Sequence, residues 1–339
     1  FINKHGLTAI STMPLAGRLL NIPAIIFFYL KTFIFPVNLA ISQQWVVQSA
    51  SVEQFVIPLV VAGAFFLLTA GMAVWLWRVK SPWLRTYVFF TTWFWAAMGF
   101  HLQLFPLDMT VSDRWFYLPM VGLLGMTGIA VIILTERVHD TKRHMRWTWV
   151  LFAAVIILLS ARSLRRTFDW RDGLTLYRHD IAISRDAFDL ENNYGVELFR
   201  RGNYDEAAVH FQRSITLAPA WWTSYNNLGA YYERRGDLER AEELYKTSIA
   251  NGTYYLAWEN LGMILIKEKK YNEAVTVLEQ TLPLLPQNPR LMLALSLAYY
   301  QTGQKDKARA TASRLVVLEP TVQNTMLLQK MRNNEDIFY

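Results

Sequence analysis

The sequence predicts an all-α protein, a polytopic helical membrane domain followed by an α-solenoid of stacked helix pairs. Three observations carry that prediction. Uncharged runs of about 20 residues, the length that crosses a bilayer core, recur in the first half only. The surplus positive charge lies there too, since residues 1–170 carry a net +8 and residues 171–339 a net −1, within a total of +7 over 339 residues. In the second half Gly195, Gly229 and Gly262 recur at steps of 34 and 33, a spacing that announces helical repeats.

A basic chain invites a nucleic-acid reading, but such binders gather Lys and Arg on one face of a soluble fold. Here the positives punctuate apolar runs, so no nucleic-acid partner is expected. With zero cysteines, disulfides, thiolate catalysis and cysteine metal sites are excluded. That composition leans bacterial, which with the spans and orientation below makes a bacterial inner membrane, with the repeats periplasmic or outward-facing, the expected location.

The membrane domain is expected over 1–166 with five spans. Segment 19–41 is apolar except for Lys31 and carries Pro23 and Pro36, so it reads as a span with a bent outer end or as a re-entrant element. Runs 55–77, 86–107 and 115–135 contain no charge. Run 147–161 is shorter, but Arg146 and Arg162 flank it and can snorkel outward. Lys and Arg mark cytoplasmic loops, and they fall before the first span (Lys4, Arg18), in 78–85 (Arg78, Lys80, Arg85) and in 136–146 (Arg137, Lys142, Arg143, Arg146). Loops 42–54 and 108–114 hold only Arg114 between them and are expected outside. Five spans would then deliver everything beyond 162 to that outer side. Residues 167–187 read as an interfacial connector and 323–339 as a tail.

Between them, 188–322 divides into four units. Gly195, Gly229 and Gly262 are followed twelve residues on by Ala207, Ala241 and Ala274, and sixteen on by Phe211, Tyr245 and Leu278. Pro219 and Pro286 close the first and third units, and a fourth fits with Ser296, Gly303, Ala308, Ala312 and Pro320. This pattern resembles the tetratricopeptide repeat. Small residues let paired helices approach while large ones fill the gap, and stacking buries faces that one unit could not bury alone. Asn193, Asn227 and Asn260 recur one repeat apart, ahead of each glycine. On a concave face they could hold the backbone of an extended protein or peptide partner, resembling the peptide-holding ladder of some repeat-bearing glycosyltransferases. They could equally bond one repeat to the next.

The stretch VSDRWFYLP, 111–119, sets an acid and a base between apolar runs. In one reading Ser112 or Asp113 caps a helix and Trp115, Phe116 and Tyr117 anchor it at headgroup depth. In the other, Asp113 and Arg114, four and three residues before Tyr117, share with it the mouth of one groove, where the planar fork of Arg114 suits phosphate oxygens. The order YLKTFIFPVNLAI (29–41), VSDRWFYLP, a last span, FDWRDGLTLY (168–177) and tetratricopeptide repeats is similar to the C-terminal half of transmembrane and tetratricopeptide repeat O-mannosyltransferases and their bacterial relatives. Those are GT-C fold enzymes that use polyprenyl-phosphate sugars.

The resemblance implies sugar transfer from a polyprenyl-phosphate lipid to a protein hydroxyl, with Arg114 neutralising the departing phosphate. It also implies an acidic catalytic loop, and any divalent metal, ahead of Phe1, because no outer acidic pair occurs here before Asp108 and Asp113. His101 and Lys31 are ionisable groups in apolar surroundings and join Arg114 as donor-phosphate candidates; an interfacial histidine and a snorkelling lysine are the plainer readings. The 168–177 connector reads as an interfacial hinge. Absent motifs leave zinc protease, NTPase and hydrolase readings without support. The alternatives are a non-catalytic membrane-anchored repeat scaffold and an O-antigen ligase or polymerase, the latter weakened because its large outer loop is lacking.

Overall fold

The structure, a computed structural model, describes residues 7–136, 141–252 and 255–337, with backbone only for 141–145. Lys4 and Arg137 of the basic segments lie outside the described residues, as does Asp140. Two compact units divide the chain, Phe1–Tyr194 and Gly195–Tyr339.

In the first unit, α1 is a single turn at Ala9–Thr12, α2 runs Leu15–Ile34, α3 Ile57–Arg78, α4 Leu84–Gly99, α5 Tyr117–Glu136, α6 Thr141–Asp169 and α7 Gly173–Ile183. Four of these stretches are long and apolar enough to cross a membrane: Leu15–Ile34, Val52–Arg78, Asp113–Glu136 and Arg146–Asp169. Apolar side chains point outward along them, with Leu67 and Leu68 of α3 about seven-tenths exposed and Leu158 of α6 similarly bare. Contiguous apolar surface on that scale is unfavourable in water and neutral in lipid, so this unit is built for a membrane.

The helices depart from the apolar runs in instructive places. Over 86–107 the helix is α4, 16 residues long, which is about 24 Å at 1.5 Å per residue against a hydrocarbon core of about 30 Å. It stops because Gly99 is followed by a folded loop built round Gln103. That residue takes a left-handed φ of 59°, donates to the carbonyls of Met109 (2.8 Å) and Thr110 (3.1 Å), and accepts from Leu107 N–H. Over 19–41, α2 ends at Ile34, so Pro36 lies in a non-helical segment. Arg162, expected to snorkel, instead donates to the carbonyls of Pro36 (2.9 Å) and Val37 (2.6 Å).

The core of this unit includes Ile25, Tyr29, Phe94, Met98, Phe116 and Leu123. Helices α4 and α5 approach closely because Gly122 and Gly125 face Phe90, where an added Cβ would stand 2.7 Å from the Phe90 carbonyl oxygen and 2.2 Å from its ring. Small residues of this kind let membrane helices pack backbone to side chain.

The repeats follow as α8 Phe188–Arg200, α9 Tyr204–Leu217, α10 Trp222–Arg235, α11 Leu238–Asn251, α12 Tyr255–Lys267, α13 Tyr271–Thr281, α14 Pro289–Gln301, α15 Lys305–Leu318 and α16 Val322–Asn333. The periodic small residues do what their spacing implies. A Cβ on Gly195 would lie 2.7 Å from the Phe211 ring, one on Gly229 2.7 Å from Tyr245, and one on Gly262 2.5 Å from Leu278. The turn inside each helix pair needs a left-handed residue, supplied by Gly202, Gly236 and Gly303 but by Lys269 in the third unit.

Candidate functional site

The helix ends that carry Lys31, Gly99, Asp113 and Asp169 come together in the first unit and are closed by two interlocked loops, 35–51 and 100–112. Gln43 pairs antiparallel with Val111. Ser112 Oγ donates to the Ile41 carbonyl at 3.1 Å, and Tyr29 Oη donates to the Ser112 carbonyl at 3.2 Å. Thr110 Oγ1 donates to the Trp45 carbonyl at 2.5 Å. Backbone polar groups that leave helical order are thus paired rather than stranded, as burial requires.

Beneath this layer sits an ionic cluster. Arg166, buried near the end of α6, lies 2.9 Å from Asp180 and 3.3 Å from Asp169, and 2.9 Å from His179 Nδ1. Asp180 is fully buried; it also accepts from the Ile41 N–H (2.9 Å) and faces His179 Nδ1 at 2.8 Å. Ser42 donates to Asp189 at 3.3 Å. A buried carboxylate is tolerated when paired and fully hydrogen-bonded, and Asp180 meets that condition. The connector expected to be an interfacial hinge is therefore a locked joint between α6, α7 and loop 35–51. Nothing in the sequence marks Arg166 and Asp180 beyond a charged stretch just past an apolar run.

The VSDRWFYLP stretch occupies one corner of the layer. Residues Asp113–Phe116 form a 3-10 turn and α5 begins at Tyr117. The expected cap is not made, because Ser112 spends its hydroxyl on Ile41 and no side chain bonds the first turn. The aromatic belt is likewise split. Phe116 is buried and stacks on Tyr29 at 5.0 Å, Trp115 is half-buried, and Tyr117 is 71% exposed. Asp113 and Arg114 form no ion pair among the described residues. Asp113 turns inward, where the charges acting on it are Arg166 and Asp180, and Arg114 is exposed.

Lys31 is exposed in the last turn of α2, two residues from Tyr29 and hence at the same end as the turn. His101 is half-buried with its ring stacked on Trp115, centroids 5.3 Å apart and planes at 10°. Asp108 contributes its carbonyl to Gln44. Among the described residues no group of three or more His, Asp or Glu is arranged to hold a metal ion.

In the repeats, Asn193, Asn227 and Asn260 are all half-buried. Asn260 donates to Asn226 of the preceding repeat at 3.0 Å, so at this step the ladder ties repeats together. Asn193 and Asn227 accept from their own neighbours, Asn192 and Asn226, at 3.4 Å. Asn227 also lines a cavity of about 190 Å³ with Val196, Phe199, Arg200, Phe211 and Ala230. The buried member of each polar pair is the residue one position earlier, Asn192, Asn226 or Glu259.

Apolar helices closed at one end by a buried ionic layer, with helix-pair repeats downstream, define a membrane-anchored repeat protein. Tetratricopeptide repeat profiles match residues 186–252, 226–289 and 265–324. Over 251 residues the chain is 22% identical to the human protein O-mannosyl-transferase TMTC3, covering 69% of this chain and 26% of that protein. It is 34% identical over 116 residues to the Drosophila melanogaster protein O-mannosyl-transferase Tmtc2, covering 34% of this chain and 12% of that protein. The chain thus spans about a quarter or less of the length of these relatives. Among solved structures it is similar to MamA from Desulfovibrio magneticus RS-1, with 23% identity, a TM-score of 0.41 and coverage of 43% of this chain and 84% of that one. It is also similar to YrrB, described as a TPR protein with an unusual peptide-binding site, at 14% identity and a TM-score of 0.42 over 47% and 85% of the two chains. The chain carries tetratricopeptide repeats over 186–324 and is similar, in part and at low identity, to protein O-mannosyl-transferases.

Proposed function

We propose that the chain is part of an integral-membrane glycosyltransferase that moves a sugar from a polyprenyl-phosphate lipid to a protein hydroxyl, its repeats docking the acceptor outside the cytoplasm. The observation that carries this reading is the division of the 113–117 turn. Arg114 and Tyr117 stand exposed at the start of an apolar helix while the acid between them and the core faces inward. An exposed guanidinium without an ion pair among the described residues, at the edge of an apolar helix, suits a lipid phosphate, where low water content strengthens charge-assisted hydrogen bonds. Lys31, exposed at the same end, adds a second positive charge, and Asp113 and His101 complete the donor site. The partial similarity to O-mannosyl-transferases supports the same reaction class.

On the acceptor side, the cavity beside Asn227 offers an apolar hollow next to an amide, the combination that an extended peptide needs for one side chain and its backbone. Asn193, Asn227 and Asn260 are the proposed peptide contacts, Asn260 also donating to the preceding repeat. The test is transfer from a polyprenyl-phosphate sugar to an extracytoplasmic protein segment by the full-length protein. Arg114→Ala should cut transfer at least about tenfold, the worth of one charge-assisted hydrogen bond. Unchanged transfer refutes the phosphate role, and acceptor binding without any transfer supports the scaffold reading instead.

A further inference from the structure

Helix α4 leaves its crossing unfinished, and the loop that follows it has the surface to finish it. The nearest charged residues on either side of this stretch are Arg85 and Asp108. Between Arg85 and Gly99 the chain is helical; from Phe100 to Leu107 it is not. Helix α3 alongside gives the height. Its Phe65 meets Phe94 and Trp95 of α4, ring centroids 5.4 and 5.9 Å apart. Beyond that level α3 continues to Ile57, about 12 Å, with Ile57, Leu59 and Val60 exposed, whereas α4 continues only to Gly99, about 7.5 Å.

The 100–107 loop has two sides. Inward, Leu102 packs against the core of the first unit and Gln103 is fully buried, its amide pairing the Leu107 N–H and the carbonyls of Met109 and Thr110. Outward, Phe100 and Phe105 are 78% and 83% exposed, and Leu104 is exposed beside them. Non-helical backbone enters the hydrocarbon core only where the protein itself pairs its polar groups. A loop of this kind therefore belongs higher, where apolar side chains reach about 5–10 Å into the boundary between headgroups and acyl chains. It carries no Lys, Arg, Asp or Glu, as contact with acyl chains requires.

We infer that the 100–107 loop is a lipid-inserted cap on α4, with Phe100, Leu104 and Phe105 entering the acyl–headgroup boundary and completing a crossing that the helix alone does not. The bilayer is the partner because the lipid-facing stripe of α4 runs onto the loop without a break: Phe89, Trp93, Ala96 and Phe100 are exposed at steps of three and four. Gln103 holds the loop's backbone in shape from inside while the two phenylalanines and the leucine meet lipid. The proposed outward placement of the repeats depends on this crossing, since the four longer apolar helices alone would return the chain to the side where it starts. Sugar transfer does not enter the argument.

The experiment places an environment-sensitive fluorophore on single cysteines of the full-length protein in nanodiscs whose lipids bear a nitroxide either near the glycerol or at the chain end. Phe105→Cys and Leu104→Cys report on the loop, and melting temperatures establish that each variant is folded. Leu67→Cys, midway along α3, is the lipid reference, and Arg200→Cys on the repeats is the water reference. Both loop positions are expected to be quenched by the near-glycerol nitroxide at least about threefold more than Arg200→Cys. They should also respond more to that nitroxide than to the chain-end one, the reverse of Leu67→Cys. Loop quenching at the Arg200→Cys level overturns the insertion, and if aqueous iodide also fails to reach the loop, its apolar surface is a protein contact instead. Transfer of sugar by the same protein is assayed separately, so either reading can fail without the other.

Discussion

Arg166 and Arg114 are the same residue type in opposite circumstances, and substitution should separate them. Arg166 offsets a fully buried Asp180 and acts on Asp113. Arg166→Met would strand those carboxylates and is expected to cost about 3–5 kcal/mol, read as a large fall in the melting temperature of the full-length protein in detergent. Arg114 is exposed and has no ion pair among the described residues, so Arg114→Ala should change stability by no more than about 0.5 kcal/mol while weakening the proposed donor binding. Only half of this contrast was legible in the sequence. The motif that carries Arg114 stands out because a charge pair interrupts two apolar runs, but which side turns inward depends on the surroundings of Asp113, on which Arg166 and Asp180, more than fifty positions away, act. Arg166 gave no local signal, since a basic residue after a span is ordinary and its partner Asp180 lies a helix later.

At the level of helices, the repeats follow from spacing alone because every signature residue has a local packing task. Gly229→Ala would push a methyl into Tyr245, whose hydroxyl donates to Glu233 at 2.8 Å, and overpacking of this kind is expected to cost about 1–3 kcal/mol. Lys269 occupies the left-handed turn position that glycine fills in the other three units. Lys269→Gly should therefore raise stability by about 0.5–1 kcal/mol, measured as a higher melting temperature.

A charge cluster on the repeats, a buried Glu242 bonded to the more exposed Lys246 and Lys270, sets a pH response. Burial pushes the Glu242 carboxyl up, but the ammonium groups of Lys246 and Lys270 bonded to it outweigh that and hold it at about 2. A carboxyl held below its unfolded value stabilises the fold above about pH 4.5 and loses that contribution as pH falls toward 2. Thermal stability should decline across that window in the unmodified protein and decline less in Glu242→Gln. The membrane helices were less legible than the repeats. Hydropathy marks where a chain is apolar but not where it stays helical, so α4 and α2 end earlier than their runs because Gln103 and the bonds to Pro36 and Val37 organise loops within apolar sequence.

For the whole molecule, the charge division between halves follows from solvent. Helices clothed in lipid need charge only at their ends, where it sets orientation, whereas the repeats are amphipathic and near neutral. The central proposal is that the 113–117 turn and the repeats are both on the non-cytoplasmic side of the membrane. The absence of cysteine makes this directly measurable by introducing one cysteine at a time and treating intact cells with a membrane-impermeant maleimide. Cysteines at Arg114 and at the exposed Arg200 should label from outside, and one at Lys80 should label only after the membrane is opened. Protection of Arg114 and Arg200 together with labelling of Lys80 would contradict the account.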